Sequence, residues 1–164
     1  MSSNYEKFSS HFLDELFKLA LLKKDVCSII AEHLEYSLIP AELKGYKKIL
    51  KSITTSFKAT GKLPTVGTLT QNNQDQEVYE IVDRILSLGV PDKEVVLSTL
   101  EDYIKRVRFQ KLYTEVAELY NNVSPQEAID FLAPKSAEIV NFSIKEKSSY
   151  FRDVFEEFGE RDTS

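Results

Sequence analysis

The chain has no tryptophan, one cysteine, one methionine and two histidines, and only five glycines and five prolines in 164 residues. Each scarcity excludes something. The single Cys27, at an apolar helical spacing, cannot close an internal disulfide, so a reducing cytoplasm suits the chain. His11 and His33 are the only histidines and stand in no recognisable metal-binding motif, so no metal centre is expected. The few glycines and prolines leave room for long helices. No apolar run reaches the ~18 residues of a membrane span. The opening "MSSNYEKFSS" is polar and lacks the apolar stretch of a secretory signal, so no membrane partner is expected.

Positive charge is also the minority. Twenty-six acids against 21 Lys and Arg give a net charge of -5, which argues against tight binding to duplex nucleic acid as the main task. Hydrophobic content of 42% with 29% charged residues describes an ordinary folded domain. The length supports one domain, or one domain with an appendage.

What is present is helix signal, with almost none for strands. Ser9 or Ser10 can cap a first helix carrying Phe12, Leu13, Leu16 and Phe17, and Asp25 can cap a second with Val26, Ile29, Ile30 and Leu34. Pro40 suits the first turn of a third helix, along which Leu43, Tyr46, Leu50, Ile53 and Phe57 step by three and four until Gly61 ends it. Thr65 opens a short helical turn, and Val78, Ile81, Val82 and Ile85 mark a fourth main helix, closed by Gly89 and Pro91.

Residues 92–121 contain no Gly or Pro and fit one helix of roughly 45 Å at about 1.5 Å per residue. Its apolar row Val96, Leu100, Tyr103, Val107 breaks off, and a new one, Phe109, Leu112, Val116, Leu119, starts two residues out of phase. Two residues turn a helix by about 200°, so the first half is expected in the globule and the second to project from it. Ser124 as cap, Pro125 at the first position and Glu127 three residues on open a returning helix with Ala128, Ile129, Leu132 and Ile139, which Pro134 should kink or break. "SIKEKSS", 143–149, is the linker candidate. Beyond it, Phe151, Val154, Phe155 and Phe158 form a one-sided amphipathic helix. The expected organisation is all-α: a helical globule over 1–91, a hairpin over 92–142, and a linker with its helix over 143–164.

Chemical motifs are weak. "TGKLPT" lacks the earlier glycine of a phosphate-binding loop and the strand before it, so Gly61 is a helix cap. Lys105, Arg106, Arg108 and Lys111 around Phe109 are a candidate weak nucleic-acid patch, offset by Glu101, Asp102 and Glu115. No carboxylate pair or nucleophile constellation points to catalysis.

The order of these elements, with the turn "TGKLPTVGTL", the long helix "DYIKRVRFQKLYTEVAEL" and the return "EAIDFLAPKSAEIVNF", resembles the N-terminal part of DnaB-family replicative hexameric helicases, in particular phage-type members. Gly61, Pro64 and Thr68-Leu69 meet the family turn, and Tyr103, Val107-Arg108, Leu112 and Ala117 meet its long helix. The first helix departs from the family in lacking its Ala-Glu opening. The resemblance implies a non-catalytic collar without cofactor, in which hairpins pair subunits of a homo-oligomer, a hexamer in the parent, through Leu112, Val116, Leu119, Ile129 and Leu132. It further implies primase and a helicase loader as partners, in the cytoplasm of a bacterial or phage-infected cell. A C-terminal ATPase domain absent from these residues would bind ATP and magnesium, contact most of the DNA and receive Phe151, Val154, Phe155 and Phe158; the chain would then be a fragment. The alternative is a stand-alone helical adaptor, such as a helicase loader or inhibitor, whose last helix inserts into a partner's groove.

Overall fold

The computed structural model describes residues 9–71 and 75–144, whose regular elements are seven α-helices and one 3₁₀ turn. The fold is all-α. The linker helix with Phe151, Val154, Phe155 and Phe158 lies outside the described residues.

Helix α1, Ser10–Leu22, starts where Ser9 Oγ accepts the Phe12 N–H at 3.0 Å. It buries Leu13, Leu16, Phe17 and Ala20. Helix α2, Lys24–His33, begins one residue before the expected cap. Asp25 therefore sits inside the first turn, where its charge suits the helix N-terminus and pairs with Lys93. After a 3₁₀ turn at Tyr36–Leu38, Pro40 also departs from expectation: it opens a tight turn, Leu43 N–H to Pro40 O at 3.0 Å, and α3, Lys44–Thr60, begins only after it. Gly61 ends α3 at φ 69°, in the left-handed region that costs glycine little. Gly45 lets α3 approach α5 closely, since a Cβ there would stand 2.6 Å from Ile81 Cδ1.

Thr65 and Thr68 form a reciprocal capping box on α4, Val66–Thr70. Helix α5, Gln76–Ser87, buries Val78, Ile81, Val82 and Ile85. Helix α6, Lys93–Asn122, is capped by Asp92 and runs unbroken for 30 residues. Its first half contributes Val96, Leu97, Leu100, Tyr103 and Ile104 to the same core as α1, α2, α3 and α5. Val123 and Ser124 then reverse the chain, Ser124 Oγ accepts the Glu127 N–H at 3.1 Å, and α7, Pro125–Asn141, packs back along α6.

Two expectations about this return are corrected, the break at Pro134 and the start of the linker. Pro134 does not break α7, which continues through it to Asn141. Both Pro134 and Asp130, whose carbonyl loses its i+4 donor, are exposed, so water can satisfy that carbonyl. Nor does the linker begin at residue 143. Phe142 lies edge-on to the His33 ring with centroids 5.2 Å apart and carries the Arg108 guanidinium 4.4 Å from its own centroid. Ile144 is fully buried in the core, and its N–H donates to Glu101 Oε1 at 2.9 Å. Apolar side chains at 142 and 144 outweigh the polar composition around them and fasten the chain to the base of the hairpin.

Candidate interaction face on the hairpin

From residue 109 to residue 141 no side chain belongs to the main core. The hairpin has a small seam of its own, in which Leu112 and Ala128 are buried. Leu112 is 4% exposed, so it holds α6 to α7 and is unavailable to a second copy, which corrects its place among the self-association residues. Val116 and Leu119 are half-buried, while Ile129 and Leu132 are exposed.

The larger exposed apolar residues lie elsewhere on α6. Phe109, Tyr113, Tyr120 and Val123 are all exposed, Tyr113 at 70%. With Val116 they step by 4, 3, 4 and 3, the spacing of a seam that meets another helix. At about 100° per residue, Phe109, Tyr113 and Tyr120 fall within about 40° of one another, and about 90° around the helix from Leu112 and Leu119. On α7, exposed Ile129, Ala133 and Val140 lie about 110–130° in the same rotational sense from buried Ala128 and half-buried Ile139. In two antiparallel helices, equal rotation away from the shared seam places both stripes on one side of the hairpin. The result is an apolar face to which both helices contribute, rather than exposed residues scattered singly. Sequence spacing contained this face, but Phe109 and Leu112, three residues apart, read as one row until the partner helix separates them.

The basic patch comes apart. Lys105 pairs with Glu101 at 3.7 Å and Arg108 lies on Phe142, so two of its four cations serve the fold. Lys111 and Phe109 remain exposed.

Among the described residues, the buried polar groups serve the fold. Asp14, the buried charge of the globule, accepts the Tyr46 hydroxyl at 2.7 Å; Arg84 donates to the Tyr46 oxygen at 2.8 Å and stands 3.5 Å from the other Asp14 oxygen. This network joins α1, α3 and α5. Burial, then the hydrogen bond to Asp14, raises the Tyr46 pKa, with Arg84 opposing. Cys27 is buried, its Sγ lies 2.9 Å from Ala20 O, and burial, helped by Asp25, pushes its pKa up to about 11. A thiol held protonated in this way is a poor nucleophile. Among the described residues, no three His, Cys, Asp or Glu side chains converge on a metal position, and no helix is long and apolar enough to cross a membrane. No family model, curated protein or solved structure matches the chain.

Proposed function

We propose that this chain is a non-catalytic assembly domain, the N-terminal collar of a DnaB-type replicative helicase, acting in DNA replication by pairing its hairpin with that of a second copy. The observation that carries this is the one-sided apolar face of α6 and α7 beyond the core. Two such faces packed together make a four-helix contact whose aromatic centre, Phe109, Tyr113 and Tyr120, is of the residue type enriched in interfaces. In the parent, six copies form the ring, the collar surface receives primase and a loader, and a C-terminal domain supplies ATP hydrolysis and most DNA contact. Residues 151–158 would lie against that domain.

Sedimentation velocity from low to several hundred micromolar tests the assembly. The expected result is a dimer or larger species that Tyr113→Glu with Ile129→Glu converts to monomer at unchanged melting temperature. A strict monomer at every concentration would sink the pairing. The gene sequence past residue 164 separates collar from adaptor, because only the collar is followed by a phosphate-binding-loop ATPase.

A further inference from the structure

Among the described helices that carry charge, α3 alone has charge of one sign. It holds Lys44, Lys47, Lys48, Lys51 and Lys58 and no acid, and Lys62 follows its Gly61 cap. The remaining charged helices mix signs, as a solvated face usually does. At about 100° per residue the five lysines occupy an arc of about 100°, a stripe about 21 Å long from Lys44 to Lys58. Tyr46, Ile49, Leu50 and Ile53 occupy the buried side. Lys48 is committed to Asp75 and Lys47 to the Tyr36 carbonyl and ring. Among the described residues, Lys44, Lys51, Lys58 and Lys62 make no ion pair.

Beside the stripe lies a cleft of about 620 Å³ between α3 and the end of α2. Lys51, Thr55 and Lys58 form its α3 wall, and Leu34 and Leu50 contribute to its floor. Tyr36, half exposed, lines it as well. Thr54 also borders it, with a buried hydroxyl that has no hydrogen-bond partner in the described structure. Glu32 and Glu35 line the α2 side.

We propose that this stripe and cleft form a sequence-independent contact for single-stranded nucleic acid. Phosphates follow the α3 lysines, with the Thr55 hydroxyl between Lys51 and Lys58 as a further donor. An unstacked base enters the cleft against Tyr36. Glu32 and Glu35 decide between this ligand and an acidic peptide. They repel a ligand that is negative along its whole width, but suit one that keeps its charge on one edge and presents base amino groups at the other. A duplex hides its bases and cannot use the cleft. The contact is independent of the hairpin and of the assembly proposed above.

The test is anisotropy of a fluorescein-labelled oligodeoxycytidylate, whose bases carry amino groups, against the full chain, titrated in salt. Four uncommitted lysines predict a log–log salt slope of about -2.8, an approximately fiftyfold loss of affinity between 50 and 200 mM salt. Lys51→Glu with Lys58→Glu, both exposed, should weaken binding at least tenfold and flatten the slope by about 1.4. Tyr36→Ala should weaken it several-fold with little change in slope, and Arg106→Ala with Arg108→Ala should leave it within twofold. Circular dichroism melting checks that the variants stay folded. No binding at 50 mM salt, or binding unaffected by the α3 charge reversals, overturns the proposal. Polyglutamate competing as well as unlabelled oligonucleotide at equal charge also overturns it, and assigns the stripe to acidic peptides.

Discussion

Asp14 is where a single side chain has most to lose. It is buried, and its two oxygens are divided between Tyr46 and Arg84, so removing it leaves the buried Tyr46 O–H donor without its acceptor. Asp14→Ala is expected to lower stability by about 1–3 kcal/mol in urea denaturation. The same network sets an alkaline limit. The folded-state pKa of Tyr46 lies above its ordinary 10.0, so the folded chain holds that proton more tightly than the unfolded one. Its contribution to stability is complete below about pH 10 and is lost as the pH climbs through the folded-state value, when a phenolate would face the Asp14 carboxylate. Urea midpoints from pH 9 to 11.5 should fall more steeply for the wild type than for Tyr46→Phe. Equal slopes would place the alkaline loss in other groups. Nothing in the sequence announces this contact, because Asp14, Tyr46 and Arg84 are separated by 32 and 38 positions and meet only when three helices pack.

Helix ends were easier to foresee than helix contacts. Gly61, Thr65 and Ser124 were legible as caps, because capping is settled by a few neighbouring atoms. The α5 row was legible for a similar reason: Val78, Ile81, Val82 and Ile85 share a face whichever partner covers it. Asp25 and Pro40 went the other way, since a neighbouring turn decided where α2 and α3 begin. The Gly61 cap gives a paired test. Gly61→Ala forces a side chain into φ 69° and should cost about 1–2 kcal/mol, although a Cβ there meets no atom within 4 Å. Gly89→Ala, equally open but not at positive φ, should change stability by less than about 0.5 kcal/mol. A similar loss at both positions in thermal melts would remove the left-handed cap as the explanation.

For the molecule as a whole, the surprise is how the described chain leaves the hairpin. Polar residues from 143 onward gave the appearance of a linker, yet burial of Ile144 depends on a gap left between distant helices and has no local signature. Ile144→Ala should lower stability by about 2–4 kcal/mol, the range of buried aliphatic truncations. Val140→Ala, at a site 71% exposed and four residues earlier, should do almost nothing. Urea midpoints decide the matter, and a neutral Ile144→Ala would return residues 143 and 144 to the linker. The interaction face was only half legible. Of the residues proposed for it, Ile129 and Leu132 stand out in the sequence spacing, whereas exposed Tyr113 and Tyr120 emerge only once α7 occupies the neighbouring side of α6.

The fastening of Phe142 and Ile144 also determines how mechanical load would pass through the domain. A pull on the backbone beyond residue 144 first meets Ile144 in the core and the His33, Phe142 and Arg108 stack, all at the root of the hairpin. Tension is delivered there to α2 and to the first half of α6, while the outer turns of α6 and α7 stand outside the line of force like an unloaded cantilever. A partner gripping that cantilever would feel the domain tilt as a rigid lever about its root, and its grip would not be peeled apart from within.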